Sequence, residues 1–490
     1  MEPGSRLLDR KGMFALSYAA SFIGSKFIGF SSGYALDDYT VLSGEHPQGL
    51  LDFFLSQGRY TNGLLDLLLM ASDLKMTNFS VVALLATLVF SLLFYMTVFA
   101  PRSNQRPSLV VAVAALLGAH SYYTEYVTFR QSALPMSIMF AMLWIGAVQY
   151  RLAVFDRNRT ALRLLGALAA AVIAMGANQL ALCLAGIAVL YMHMTESVTS
   201  QQAPSAAFKG TVRALVVTAA VGLALVVSNL AVAGAARSIA GVSKDSRATL
   251  ISTSQLSERV DQLAELMPTL LVKAEPIASR PAKLLLLLSA LVLLIPFNRK
   301  QLQDTWVALV FATTAWVIAL LPHIVSGTWW PVPRTFIAIP MVFAGTICLL
   351  SQDRGWRAAL SAALALSAAV LFCASSNAAL LNQQRVNRWD ISQAQAIATH
   401  VVERFPQNKG KMAIVGGKWA YPSAPGAVQG DMNVSALSVG WAIDPLFDEA
   451  TGINLTVRSA PELSGECAGK APFPSEEGTF AKGDEVIVCL

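Results

Sequence analysis

Apolar runs recur along the whole first three quarters of the chain, separated by short polar stretches, and most are the length of a helix that crosses a bilayer. A hydrocarbon core of ~30 Å takes roughly 17 to 25 apolar residues in a helix, and on that measure the pattern predicts about eleven spans. They lie near 13–32, 78–100, 108–127, 132–150, 161–177, 179–195, 211–235, 283–297, 304–324, 335–351 and 357–377. Charge alternates between the connections. Arg6, Arg10 and Lys11; Arg102 and Arg106; Arg151, Arg157, Arg159 and Arg163; Lys209 and Arg213; Arg299 and Lys300; and Arg354 and Arg357 fall in every second one, which marks those connections as cytoplasmic. The other short loops hold few cations, namely Arg59, Lys75, Arg130 and Arg334, and the long loop 236–282 is exempt because long translocated segments largely ignore the rule. The N-terminus is therefore expected in the cytoplasm, with Asp37, Asp38 and everything after about 378 outside. Lys26 interrupts the first run and no clear small-residue cleavage site follows it, so that run reads as a retained span.

Two segments break the spanning pattern. "GLLDFFLSQGRYTNGLLDLLL" (49–69) has apolar residues at helical spacing but is broken by Gly58 and Gly63, and predicts two short helices lying flat at the interface, within an outer loop 33–77. After about residue 378 the chain reads as a folded domain: "MAIVGG" and "DEVIVCL" as strands, "ISQAQAIATHVVERF" as a helix, with Gly, Pro, Ser and Asn between. The expectation is an all-α polytopic membrane domain over 1–377 and a small C-terminal α/β or α+β domain over 378–490.

Composition agrees: 55% of residues are apolar and only 13% charged, where a soluble domain carries about a quarter. The net charge of +6 then reports topology, not nucleic-acid binding. Of five cysteines, Cys183, Cys348 and Cys373 fall in spans, while Cys467 and Cys489 share the tail as either a disulfide or two free thiols. There is no P-loop, dinucleotide fingerprint or metal-type Cys/His spacing in the sequence, so ATP-driven and redox chemistry are not expected.

The chemistry points to the outer loops. Asp37 and Asp38 stand just past the first run, interfacial helices follow, and "SQGRY" adds a cation. A carboxylate beside a guanidinium at a membrane surface can deprotonate a hydroxyl while the guanidinium holds a phosphate leaving group, although most Asp pairs in such places are turn or cap residues. Lys26 is costly inside a span unless it is paired or snorkels. In "HSYYTEY" (120–126) and "GTWWPVPR" (327–334) the aromatics read as an interfacial belt, with Trp329 and Trp330 also able to stack on a sugar. Asn178 and Gln179, in a tight outer turn, read as partners of backbone groups.

"DDY", "QGRYTNGLLDLLL", "GANQLAL" (176–182), "PRTFIAIP" (333–340) and a tail with "VGG", "NVSAL" and "EVIVCL" together resemble the phage-type O-antigen glucosyltransferases (the glucosyltransferase II family) of the GT-C class, in order along nearly the whole chain. The resemblance implies an inverting transfer of a hexose, glucose above all, from a polyprenyl-phosphate carrier to O-antigen, lipopolysaccharide or a related surface glycan. It places the reaction on the periplasmic side of a bacterial inner membrane, with the lipid bilayer as surroundings and no nucleic acid. It implies Asp37, or failing it Asp38, as general base, and outward cations on the donor phosphate: Arg59, Arg130 and Arg334, with Lys244 and Arg247 behind. Tyr39, Trp329 and Trp330 complete the implied binding residues. No cofactor or metal ligand set is implied, and a divalent cation at the aspartates is left open. The alternatives are a lipid-linked oligosaccharide flippase, which internal repeats would favour, and an O-antigen polymerase working from the 236–282 loop through Arg237, Lys244, Arg247 and Arg259.

Overall fold

The computed structural model describes residues 3–30, 34–35, 38–39, 49–99, 105–199, 204–245, 249–273, 277–296, 299–351, 355–408, 410–416, 434–453 and 455–490. In chain order its helices are α1 (Pro3–Lys26), α2 (Leu50–Ser56), α3 (Tyr60–Met70), α4 (Ser80–Val98), α5 (Pro107–Ala119), α6 (Thr124–Thr128), α7 (Arg130–Val154), α8 (Thr160–Ala177), α9 (Ala181–Thr199), α10 (Pro204–Ala240), α11 (Leu256–Leu271), α12 (Arg280–Leu294), α13 (Arg299–Val325), α14 (Ile339–Leu350), α15 (Gly355–Arg404), α16 (Gly440–Thr451) and α17 (Ser464–Cys467). The strands are β1 (Lys411–Val415), β2 (Thr456–Ser459), β3 (Thr479–Lys482) and β4 (Glu485–Cys489).

Among the described residues, eight helices are long and apolar enough to cross a bilayer, and they coincide with eight of the runs read from the sequence. The chain is thus a mostly helical, membrane-embedded protein with a small C-terminal sheet. The runs near 108–127, 179–195 and 283–297 form α5, α9 and α12, whose apolar helical stretches are shorter. With 13 residues α5 reaches only about 20 Å. It stops at Ala119, and the chain continues through a 3-10 turn (Ser121–Tyr123) into α6, outside the membrane-spanning helices. The "HSYYTEY" segment is consequently not a belt: His120, Tyr122 and Tyr126 are buried in the bundle core.

Lys26 neither snorkels nor faces a pathway. It is fully buried, and its Nζ donates to the Ala119 and His120 carbonyls at 3.3 and 3.2 Å, to Gly118 O at 3.4 Å and to Ser25 Oγ at 2.8 Å. A cation sits on the C-terminal carbonyls of α5, the end that carries partial negative charge. The helices approach closely enough because position 118 is glycine: a Cβ there would lie 2.6 Å from the Tyr18 carbonyl oxygen.

The two short helices expected over 49–69 are present as α2 and α3. Gly58 makes the turn between them with φ +76°, a conformation an L side chain rarely adopts. Gly63, expected as a second break, lies inside α3. Leu64, Leu68 and Met70 of α3 are exposed, as a helix lying in an interface requires.

The 50 residues of α15 reach about 75 Å, more than twice a hydrocarbon core. The first part, through Cys373, is apolar; the second carries Gln383, Gln384, Arg385, Arg388 and Asp390 and ends in the tail. The expected change of character near 378 therefore falls inside one unbroken helix. Ala394, Ile397, Ala398 and Val401 of α15 pack with α16 on one face of the sheet, against Met412, Ile414, Val457, Val486 and Val488. Strand order is β2-β1-β4-β3, with β1 parallel to β2 and β4, and β3 antiparallel to β4. Cys467 and Cys489 are joined by a disulfide that ties α17 to the last strand.

Candidate active site

The tail core is completed by the first loop. Ala35 and Tyr39 are buried among the tail residues together with Phe129, which immediately precedes α7. Gln383 Nε2 and Asn387 Nδ2 of α15 both donate to the Tyr34 carbonyl, at 2.7 and 2.9 Å. The first loop, the start of α7 and the tail therefore lie at one end of the bundle.

Asp38 is fully buried there. Its carboxylate accepts from the backbone N–H groups of Ala35 and Arg130 at 3.0 Å each, and of Gln131 at 2.9 Å. Phe129, at the N-cap position of α7, provides no side-chain acceptor. Asp38 supplies it across the fold, placing negative charge where the helix dipole favours it. Asp38, the fallback general base, is here a cap: its oxygens are engaged by the backbone donors at the start of α7. Asp37 lies outside the described residues.

Tyr39 does not face a ligand site. Its ring is packed edge-on to Tyr34 inside the tail core, its hydroxyl takes a hydrogen bond from Asn387 Nδ2 at 3.4 Å, and burial pushes its pKa well above the usual phenol range.

Of the three short-loop arginines, Arg334 sits against α6 and Arg130 opens the helix that follows it. Arg334 is buried, with Nη1 3.4 Å from Glu125 Oε2, and its backbone N–H donates to the same oxygen at 3.2 Å. Its guanidinium lies 4.5 Å from the centre of the Trp330 ring and 5.9 Å from that of Phe129. Arg334 is thus a paired, stacked cation, not a snorkelling anchor. Arg130, half-buried, stacks 4.8 Å from the Tyr34 ring. Arg59 occupies the N-cap position of α3. Burial raises the Tyr126 pKa, opposed by the Asn178 hydrogen bond and by the positive charges of Arg334 and Arg59.

Asn178 and Gln179 fasten the interfacial pair to this corner. Asn178 Nδ2 donates to Tyr126 Oη at 2.9 Å, its Oδ1 accepts from Leu180 N–H, and Gln179 Nε2 donates to the Gln57 carbonyl at 2.6 Å. Lys244 is exposed and adjoins the same turn, since Asp245 N–H donates to the Ser56 carbonyl. Arg247 lies outside the described residues. The two tryptophans part company: Trp329 stacks on Arg259, at 5.0 Å, and packs against His323, whereas Trp330 stacks on Arg334. Glu125, the partner of Arg334, was legible only as part of an aromatic segment. Among the described residues no group of three or more His, Cys, Asp or Glu side chains is placed to hold a metal ion.

Arg334, paired with the buried Glu125 and stacked on Trp330, thus lies beside Phe129 at the start of α7, the helix that Arg130 opens and Asp38 caps. The arrangement suits an anionic, sugar-bearing headgroup: forks for phosphate oxygens and an aromatic face for the sugar. No protein-family model, curated protein or solved structure matches the chain.

Proposed function

We propose that this protein is a membrane glycosyltransferase that moves a hexose from a polyprenyl-phosphate sugar to a surface glycan, with inversion at the anomeric carbon. The observation that carries the reading is Arg334, paired with Glu125 and stacked on Trp330, close to the start of α7 where Arg130 stands and Asp38 of the first loop is held. With the eleven apolar runs taken as spans, eight of them as helices long enough to cross, the alternation of charge supports a periplasmic position for this end, in a bacterium whose inner membrane holds the protein.

In this mechanism the acceptor hydroxyl loses its proton to Asp37 as its oxygen attacks the anomeric carbon. The bond to the phosphate oxygen breaks, and polyprenyl phosphate leaves with the electron pair. Negative charge grows on the leaving oxygen at the interface, where Arg59 and Arg130 meet it. Arg334, already matched by Glu125, orients Trp330 against the sugar. Asp38 fixes the start of α7, and with it Arg130, relative to Asp37. A lipid-linked oligosaccharide flippase or a polymerase working from the 236–282 loop would not depend on Asp37. Supplying the purified protein with a panel of polyprenyl-phosphate sugars and looking for transfer to surface polysaccharide tests the proposal, and absence of transfer from every member removes it.

A further inference from the structure

A second site lies near the opposite end of α7. Tyr150 is 20 residues beyond Arg130, about 30 Å along the helix. Between α7, α8, α9 and α10 the structure encloses a cavity of about 230 Å³ with Tyr150 in its wall. The cavity exists because the facing helices present small side chains, among them Gly146, Ala147, Ala167, Ala171, Ala188 and Ala224. Small residues in membrane helices ordinarily let backbones approach closely; here they leave a gap. Two wall residues are exposed, Leu164 of α8 and Ala224 of α10, so the cavity opens between those helices onto the lipid-facing surface.

One end of this apolar space is polar. The Tyr150 hydroxyl and His193 Nε2 are hydrogen-bonded at 2.8 Å, and the exposed Arg213 of α10 lies eleven residues, about three turns, before the mouth residue Ala224 and so on the same face of that helix. Thr218 shares a face of α10 with the wall residues Val221 and Leu225, and is buried with its hydroxyl unpartnered. Thr211, one helix repeat earlier, bonds the carbonyl four residues back in the ordinary way. A buried hydroxyl without a partner calls for an acceptor that belongs to something else.

We infer that this cavity binds one anionic phospholipid, its acyl chain between α8 and α10 and its phosphate against Arg213 and the Thr218 hydroxyl. The occupant is hydrocarbon because the mouth opens to lipid and the wall is apolar. It is anionic because α10, whose Val221, Ala224 and Leu225 line the cavity, carries the cation Arg213 on the Ala224 face and the unpartnered Thr218 hydroxyl on the Leu225 face. The site takes no part in sugar transfer and stands apart from the proposed reaction.

The test uses the full chain in mild detergent, equilibrated with phosphatidylglycerol or phosphatidylcholine, freed of loose lipid, and weighed by native mass spectrometry. Wild type retains a single phosphatidylglycerol in preference to phosphatidylcholine. Arg213→Gln, at an exposed position that leaves thermal unfolding unchanged, lowers that retention about fivefold, the contribution of one cation near a membrane surface. Ala224→Phe, which closes the mouth, abolishes retention of either lipid. Equal retention of the two lipids by wild type, undiminished phosphatidylglycerol in Arg213→Gln, or displacement of phosphatidylglycerol by an equal amount of polyprenyl phosphate would each overturn the inference.

Discussion

The carboxylate of Asp38 takes the backbone N–H of Gln131 at 2.9 Å, across 93 residues of chain, and so begins a helix that lacks a cap of its own. Two adjacent aspartates thereby acquire different work. Asp38 holds α7 in place, and Asp37 is the proposed general base.

Substitution separates them. Asp38→Ala leaves buried N–H groups of Ala35, Arg130 and Gln131 without an acceptor, and is expected to destabilise the protein by about 2 kcal/mol, seen as a lower unfolding temperature in detergent. Asp37→Asn is expected to keep the wild-type unfolding temperature. Equal stability of the Asp38→Ala protein and wild type would contradict the capping assignment.

Arg334 and Glu125 are coupled. Removing one member of a buried pair strands the other charge, at a cost of about 3 kcal/mol, whereas removing both is much milder. Glu125→Gln and Arg334→Gln should therefore each lower stability more than the double substitution does, and a double-mutant cycle on thermal unfolding measures the coupling. Additive losses would show the two side chains to be independent.

Eight of the eleven expected spans were legible because each rests on a local signal, a long apolar run. Partners were not. Glu125 and Arg334 are 209 residues apart, and Lys26 meets carbonyls more than 90 residues away. A charge inside or beside an apolar run announces that it needs a partner, but only the packing of α1 on α5 shows that a helix end is the partner of Lys26. Tyr39 was misjudged for a related reason: its neighbours are loop residues in sequence, yet in space they are the core of the tail.

Lys26→Met tests the other trans cap. The change removes the charge but leaves the buried carbonyls of Gly118, Ala119 and His120 without their donor, and should cost about 2 kcal/mol. A snorkelling lysine would tolerate methionine, so unchanged thermal unfolding would contradict the cap.

Asp390 gives the tail a pH dependence. It lies on α15 beyond the apolar half, buried, accepting from Ser435 Oγ and from Ala436 N–H at 2.7 Å. Burial raises its pKa to about 6, and the two hydrogen bonds oppose the rise. The folded state therefore holds this proton more tightly than the unfolded chain does. The contribution is fully present below the unfolded value of about 4 and is lost as pH rises through about 6. Unfolding temperature should fall over that interval in wild type and change less in Asp390→Asn; identical pH profiles would contradict the assignment.

The central claim is sugar transfer with Asp37 as base, and it is tested most directly by comparing wild type and Asp37→Asn in one assay with polyprenyl-phosphate glucose and surface polysaccharide. A base acts in the transition state, so the account predicts that wild type transfers glucose while Asp37→Asn binds the donor with nearly the same affinity and turns over at least about a hundredfold more slowly. Wild-type turnover in Asp37→Asn would contradict the account.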